Sequence, residues 1–275
     1  MIADAQGRAL HQDFLPASGE RAFVWKYSDP IGGRRPRHFH GEPEINLVVR
    51  GAATFGVGDR VVRVSQGELL TFPSGQDHVL LESSADLYLF AIGLKPRYSA
   101  QVLNGDSPPP MQLKLDKGEL ETITGRAAEI VDRPHSEQLG AALWQHIHWV
   151  SRQSGSVNSR PAHVLTRRVL QLMRRAPELG LQALASELRA HPTEVSRHFH
   201  RDMGMTLVRY RMRHRLIRLI ELVDAGQRQL TAAATNAGFG SYSQCHRAFQ
   251  AELGCAPRQF FSSGFREQMQ LTYAE

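Results

Sequence analysis

Three histidines and a glutamate in the first third of the chain have the spacing of a metal or ligand site. His38 and His40 are two residues apart, Glu44 follows four residues later, and His78 comes further along. Residues i and i+2 of a strand point to the same side, so His38 and His40 can converge inside a sheet structure. Three imidazoles and one carboxylate suit Mn, Fe, Co, Ni or Zn. A hydrogen-bonding wall for a sugar or a carboxylate is the alternative, and both interpretations stay open.

The last 116 residues contain two similar segments that predict a pair of helix-turn-helix units. In each segment a short helix, a tight turn and a longer helix follow one another, and the segment closes on Arg-x-Phe-x-x-x-x-Gly. The two copies of this pattern are Arg197, Phe199 and Gly204, and Arg247, Phe249 and Gly254. The second helix of such a unit can lie in the major groove of DNA. The repeat therefore predicts two DNA-reading helices in one chain.

A single helix with an apolar stripe separates the two predicted units. The stripe consists of Met212, Leu216, Leu219, Ile220 and Val223. A helix of about 18 residues is about 27 Å long at 1.5 Å per residue. With the units added, this separation approaches the roughly 34 Å between successive major-groove faces of a duplex. One chain could therefore read two consecutive turns of DNA.

The distribution of charge along the chain also favours DNA as a partner of the C-terminal half. Residues 160–275 carry 17 Lys and Arg against 9 Asp and Glu, whereas residues 1–159 carry 16 against 18. A basic half favours a polyanionic partner. No apolar run reaches the roughly 18–20 residues of a membrane span, and no signal peptide is visible, so we expect a cytoplasmic protein without a membrane partner. Two cysteines exclude a disulfide scaffold.

The order of the predicted elements divides the chain into four parts. Short Val/Ile/Leu-rich stretches separated by turn formers predict a sandwich or barrel of strands over residues 1–115. Residues 116–150 show two apolar helical stripes, which could cover the sheet or form a dimer seam; the seam is favoured because two stripes exceed what one small sheet needs. Polar residues 151–161 have linker composition. Residues 162–265 form the predicted DNA-binding domain.

Residues 164–261 resemble the DNA-binding domain of the AraC/XylS family of bacterial transcriptional regulators. The second copy carries the family signature, which is Leu230, Ala233, Ala234, Gly238, Phe239, Ser241, Arg247, Phe249, Gly254 and Pro257. Cys245, Leu219 and His191-Pro192 depart from the usual residues, which puts packing and the base preference of the first unit in doubt. The resemblance implies a regulator, favoured as an activator, that binds double-stranded promoter DNA, RNA polymerase and a small-molecule effector.

The resemblance also assigns DNA contacts to particular residues. The positions that match the family's base-reading sites are Thr193, Ser196 and Arg197 in the first copy, and Tyr242, Ser243, His246 and Arg247 in the second. Arginine can donate two hydrogen bonds to guanine O6 and N7. Arg201 lies one turn beyond Arg197 and is better placed for a phosphate, which positions the protein without specifying sequence. Phe199, Phe239 and Phe249 are expected in the core of their units.

The histidines resemble a second family. Gly32-x5-His38-x-His40-x3-Glu44-x6-Gly51 and Gly67-x5-Pro73-x-Gly75-x2-His78 are similar to the two motifs of the cupin barrel, except that Glu82 replaces the usual Asn. The expected fold is therefore α+β, with an N-terminal cupin-like β-barrel followed by helices and a C-terminal all-α domain with two helix-turn-helix units. Because regulators of this family often keep such residues without using a metal, a divalent transition metal at His38, His40, Glu44 and His78 stays one of two possibilities.

Three functions compete on these observations. The first is a DNA-binding regulator, as a homodimer, that responds to a small molecule in the barrel and is not an enzyme. The second is a metal-dependent cupin enzyme with a helical appendage, supported by the complete set of four possible ligands. The third is an architectural DNA binder with an inert barrel. Two matched helix-turn-helix units in a basic half favour the first, since catalysis does not require them.

Overall fold

The structure is a computed structural model that describes residues 10–11, 22–28, 37–94, 112–132, 137–153 and 162–262. Within these ranges the first part of the chain consists of strands and the rest of helices, as the α+β prediction requires. Of the predicted linker 151–161, residues 151–153 end a helix and residues 154–161 lie outside the described ranges. None of the described helices has both the length and the hydropathy that crossing a lipid bilayer requires.

The strands form two five-stranded sheets that face each other as a barrel. Their bounds are β1 Leu10–His11, β2 Ala22–Tyr27, β3 His38–Phe39, β4 Glu44–Arg50, β5 Ala52–Val57, β6 Arg60–Ser65, β7 Glu68–Phe72, β8 His78–Ser83, β9 Tyr88–Leu94 and β10 Gln112–Lys114. One sheet has the order β1-β3-β8-β5-β6 and the other β10-β7-β4-β9-β2. Phe55 and Phe72 meet edge to face between the sheets, with ring centroids 5.7 Å apart. Alternate residues of each strand turn inward, and most of these inward side chains are apolar.

Two helices, α1 (Lys117–Asp132) and α2 (Glu137–Gln153), pack against the second sheet. Their apolar stripes share one buried cluster with sheet residues such as Leu47 and Phe90. The inference that two stripes exceed what one sheet needs is therefore wrong, because the sheet buries both of them. Trp149 lies on the outer side of α2 with 57% of its surface exposed. The homodimer stays a prediction, but these stripes no longer support it.

The remaining helices form the two predicted units and their connection. Their bounds are α3 Val164–Arg175, α4 Leu181–Glu187, α5 Pro192–Met203, α6 Leu207–Asp224, α7 Leu230–Asn236, α8 Tyr242–Leu253 and α9 Pro257–Phe260. The first unit is α4 with α5, the second unit is α7 with α8, and the connecting helix α6 has the expected 18 residues. His191 and Ser241 cap the starts of α5 and α8 with side-chain acceptors. Gly204 and Gly254 end these helices in the left-handed conformation, which accounts for the repeated glycine.

The repeated phenylalanines lie inside the units, as expected. Phe199, Phe239 and Phe249 are all buried. The second unit has its own apolar cluster around Phe249. The first unit instead shares a continuous cluster with barrel residues, including Phe55 and Phe72. The barrel and the first unit are therefore packed together.

Candidate functional site

The four predicted ligand residues come together inside the barrel. His38 on β3 and His78 on β8 are paired across the sheet, while His40 follows β3 and Glu44 begins β4. One ring nitrogen of each of His38, His40 and His78 lies within 4.8 Å of the other two. Oε2 of Glu44 is 3.2 Å from Nε2 of His40 and 3.8 Å from Nε2 of His78. All four side chains are buried, and we call this set the histidine site.

The charges at the histidine site favour an ionised carboxylate beside a neutral imidazole. Burial by itself would raise the pKa of Glu44, but the hydrogen bond from His40 and the charges of the histidines outweigh it and lower that pKa well below its usual range. Burial lowers the pKa of His78 to about 4, although Glu44 opposes this shift. At neutral pH the site therefore presents an anion and a ring nitrogen with a lone pair, which are the states that bind a metal ion.

Hydrogen bonds to the backbone orient two of the rings. Nδ1 of His40 lies 2.7 Å from the carbonyl oxygen of Glu42, and Nδ1 of His78 lies 3.2 Å from that of Gln76. A carbonyl oxygen can only accept, so both Nδ1 atoms donate, and in the neutral ring of His78 Nε2 carries the lone pair. Nε2 of His78 is buried and has no hydrogen-bond partner among the described residues. This is the arrangement of metal-binding histidines, whose second ring nitrogen donates to a carbonyl or carboxylate.

The predicted DNA-contacting residues lie on the two second helices, mostly toward solvent. Thr193, Arg197 and Arg201 on α5 are exposed, as are Ser243, His246 and Arg247 on α8, whereas Ser196 and Tyr242 are half-buried. The beginnings of both helices are accessible, which is the end that contacts base edges in helix-turn-helix proteins. Nε and Nη2 of Arg201 both lie 3.0 Å from Oδ1 of Asp202. This ion pair competes with the phosphate contact predicted for Arg201.

The barrel contacts the far ends of these helices, which the sequence did not reveal. Asp59 donates its backbone N–H to the carbonyl oxygen of Gly204 at 2.9 Å, and Arg60 donates to that of Asp202 at the end of α5. On the second unit, Leu253 packs with Phe39 of the barrel. A cavity of about 410 Å³ opens between the two halves and is lined by residues that include Arg37, Asp59, Asp77, His200, Thr206 and Arg209.

Arg213 is the most deeply buried charge at this contact. Its side chain is fully buried and binds Asp77 of the barrel and Glu252 of α8. The sequence did not predict its burial, because an arginine on a basic helix is ordinarily solvated. One signal was present: Arg213 precedes Leu216 by three residues and Ile217 by four, so it lies on the buried side of α6.

Replacement of Gly58 by alanine tests the contact between the barrel and the first unit. Gly58 has a φ of +59°, and a Cβ atom there would overlap the carbonyl oxygen of Gly204. We expect the free energy of unfolding in urea to fall by roughly 1–3 kcal/mol, because overpacking and the left-handed backbone both cost energy. Gly125→Ala in α1 is the matched control, since nothing lies within 4 Å of it, and should stabilise slightly. Equal effects of the two changes would contradict the close approach.

His214 makes this contact sensitive to acid. Its Nε2 lies 3.0 Å from the carbonyl oxygen of Ser74, and burial lowers its pKa to about 4 against this hydrogen bond. Between about pH 6.5 and 4, His214 of the unfolded chain binds a proton more readily than His214 of the folded protein. The contribution of His214 to the free energy of unfolding is therefore complete above pH 6.5 and falls as the pH decreases. At pH 5 the loss should be about 2 kcal/mol. His214→Gln keeps a donor, and urea unfolding at pH 7 and 5 should show a smaller decrease than in the wild type; an unchanged decrease would remove His214 from the explanation.

Comparison with known families decides what kind of protein this is. The sequence model of a helix-turn-helix domain family matches residues 184–263. The model of the AraC-like ligand binding domain matches residues 26–191, which is more than half of the chain. The chain belongs to the AraC family. It is a transcription regulator with a DNA-binding domain and an N-terminal domain that binds a small-molecule effector. The predicted family and fold class are thus confirmed.

Several solved structures are similar to this AraC-family chain. ToxT from Vibrio cholerae O395 is 10% identical, covering 92% of this chain and 97% of that chain with a TM-score of 0.46. Unsaturated fatty acid bound wild-type ToxT from V. cholerae strain SCE256 is 12% identical, covering 92% and 99% with a TM-score of 0.45. The C-terminal domain of AraT, a response regulator from Geobacillus stearothermophilus, is 21% identical over 39% of this chain and 93% of that chain, with a TM-score of 0.35. No curated protein matches this chain.

Proposed function

We propose that this regulator reads two successive major-groove faces of promoter DNA, with α5 in one and α8 in the next. The observation that carries the proposal is the exposure of Arg197 and Arg247 at matching positions of two units that an 18-residue helix separates. Their guanidinium groups can each donate two hydrogen bonds to a guanine. The other residues assigned to the grooves are Thr193, Ser196, Tyr242, Ser243 and His246, with Arg201 on a phosphate.

Selection of duplexes from a random library by the full-length protein tests this proposal. The selected sites should contain two conserved blocks about one helical turn apart. Footprinting should then show two protected major-groove faces on the same side of the duplex. A single block would mean that only one unit reads sequence. Mapping of bound sites in the genome would add the neighbouring genes, from which the effector pathway can be inferred.

We further propose that His38, His40, Glu44 and His78 hold a divalent transition metal in the effector-binding barrel. Support comes from the buried carboxylate beside three converging imidazoles and from Nε2 of His78, which has no hydrogen-bond partner among the residues that the structure describes. Such a metal offers one or two positions to water or to an effector with an oxygen or nitrogen donor. A hydrogen-bonding wall for a sugar or carboxylate is the alternative use of the same side chains. Elemental analysis of protein purified without an affinity tag distinguishes the two.

The complete histidine site is also the observation that favours a second function, a metal-dependent enzyme. We propose that the barrel senses rather than catalyses, because the chain belongs to a family of regulators. Incubation of candidate small molecules with the protein separates these functions. A shift in thermal unfolding without turnover supports a sensor, whereas formation of a product supports the enzyme. An architectural DNA binder with an inert barrel would show neither.

Membership of the family also supports three finer proposals. The regulator acts in the cytoplasm, contacts RNA polymerase as an activator, and works as a homodimer. Sedimentation of the free protein and of its complex with a selected duplex measures the number of copies on the DNA. Transcription in vitro, with and without the protein, measures the sign of regulation.

A further inference from the structure

A row of alternating charges runs through the contact between the barrel and the helical half. Nη1 of Arg213 donates to Oδ1 of Asp77 at 2.6 Å, and its Nε donates to Oε2 of Glu252 at 2.9 Å. Each carboxylate also binds a second arginine, Arg37 at 2.8 Å from Asp77 and Arg209 at 3.0 Å from Glu252. Arg213 is fully buried in the centre of this row. Arg213 therefore links the barrel to α8 through one ion pair on each side.

Arg213 contacts two residues that neighbour the histidine site in the chain, Asp77 and Phe39. Its first contact, Asp77, directly precedes His78 in the chain, and the turn before them also binds Arg213 through the carbonyl oxygen of Gly75 at 3.3 Å. Its second contact is Phe39, whose ring centroid lies 4.6 Å from Cζ of Arg213. Phe39 stands between His38 and His40 in the sequence. Each of the three histidines is thus joined by a peptide bond to Phe39 or Asp77, the two residues that Arg213 contacts.

The backbone explains why these connections are short. Successive side chains of an extended segment point to opposite sides, so the two histidines face the barrel interior while Phe39 faces the helices. The carbonyl oxygen of Gln76 holds Nδ1 of His78, which ties the orientation of that ring to the turn that carries Asp77. A movement of the backbone that carries these rings therefore shifts a group that packs on Arg213.

The other end of the row lies on the DNA-reading helix of the second unit. Glu252 is in the last turn of α8, ten residues after Tyr242 at its start. Leu253 packs beside Phe39 and Ile217, so apolar and charged contacts hold the same end of α8. The first unit contacts the barrel through the turn at Gly58–Arg60 and through the apolar cluster that it shares with Phe55 and Phe72. Both attachments meet at Asp77, because Gly58 donates its backbone N–H to the carbonyl oxygen of Asp77 at 3.2 Å, but the ion pairs of Arg213 lead to the second unit.

We propose that Arg213 couples occupancy of the histidine site to the position of α8, so that binding in the barrel changes DNA affinity through the second unit. This rests on the proposed metal site. Since an effector acts only through its different affinity for two states, the coupling requires contacts that differ between them. A buried arginine is suited to such coupling, because moving it away from either carboxylate would leave a buried charge without compensation. Intermediate positions are therefore costly, and discrete arrangements are favoured over gradual ones.

The test measures DNA affinity of the full-length protein with and without Co²⁺, whose visible absorption reports binding to the histidine site. The DNA is a duplex selected from a random library. In the wild type we expect Co²⁺ to change the duplex Kd by about fivefold or more, the lower end of typical coupling. By reciprocity, the duplex should change the Co²⁺ affinity by the same factor. In Arg213→Met both changes should fall below about twofold, with Co²⁺ still bound by the free protein.

Arg213→Met is a tolerable change, because Asp77 keeps Arg37 and Glu252 keeps Arg209. Asp77→Asn interrupts the same connection from the barrel side and should give the same loss if Arg213→Met fails to fold. Arg209→Met is the matched control: it removes an arginine from Glu252 without touching Asp77, and the coupling should survive.

Three results would overturn the proposal. In the first, Arg213→Met and Asp77→Asn keep the full effect of Co²⁺ on the duplex Kd. In the second, the wild type binds both Co²⁺ and the duplex with no mutual effect, which leaves the metal site intact and removes only the coupling. In the third, the absorption bands of bound Co²⁺ never form, and the proposed metal site fails together with the coupling.

Discussion

Alanine in place of Arg197 is expected to weaken binding to a selected duplex by about 1–3 kcal/mol, or roughly 5- to 150-fold, and Arg247→Ala by a similar factor. Each side chain is exposed near the middle of a helix whose first half is accessible. Loss of a bidentate contact leaves a guanine unrecognised, so the specificity for that base should relax as well. Because the two residues belong to separate units, the double change should cost about the sum of the single ones. Titrations at one fixed salt concentration measure these costs.

The control for lost positive charge is Arg218→Ala. Arg218 is exposed on α6 and pairs with Glu221 at 3.6 Å, outside the predicted grooves. Removing this arginine should weaken DNA binding only slightly and by the same factor for every DNA sequence, because a positive charge without a base contact attracts the phosphates of any duplex. Arg201→Ala should likewise act on all sequences alike if it contacts a phosphate. Wild-type affinity for the selected duplex in both Arg197→Ala and Arg247→Ala would refute the groove assignment.

The sequence predicted those parts of the fold that depend on residues close together in the chain. The paired Arg-x-Phe pattern located α5 and α8, because their packing residues and closing glycines recur at fixed spacing. The stretches rich in Val, Ile, Leu and Phe that predicted strands, residues 45–50, 61–64, 69–72, 79–82 and 87–92, overlap β4, β6, β7, β8 and β9, because this composition is also local. Strand β5 was among those missed: Ala52, Ala53 and Gly56 interrupt the strand-forming residues of its sequence Ala-Ala-Thr-Phe-Gly-Val, and pairing with β6 and β8 holds it in place.

The histidine site was predicted as a set, whereas the connection to the helices was not. His38 and His40 are local, and the match to a known motif supplied Glu44 and His78. The partners of Arg213 lie 136 and 39 residues away, and no spacing rule links them. The apolar stripes of α1 and α2 show the same limit, since the sequence revealed the stripes but not that one sheet buries both. Contacts between the barrel and the helices depend on how these parts pack against each other, and local sequence patterns carry no information about that packing.

Removal of His38 and His40 together is expected to abolish metal binding. Wild-type protein purified without an affinity tag should contain close to one divalent transition metal per chain, and the double alanine variant should contain almost none, because two of three converging imidazoles are lost. A metal at 100 times its Kd adds about 2.7 kcal/mol to the free energy of unfolding. We therefore expect a chelator to destabilise the wild type by about this amount and to leave the variant unchanged.

His148→Gln is the control, because His148 is buried like the site histidines but lies on α2. It should keep both the metal and the response to chelator. Because Nδ1 of His40 and Nδ1 of His78 each lie against a carbonyl oxygen, Nε2 is the nitrogen of each ring that can bind a cation. If the double variant kept its metal, the ion would be bound elsewhere. If the wild type had none and a sugar or carboxylate raised its unfolding temperature, the same nitrogens would instead form the hydrogen-bonding wall of the effector pocket.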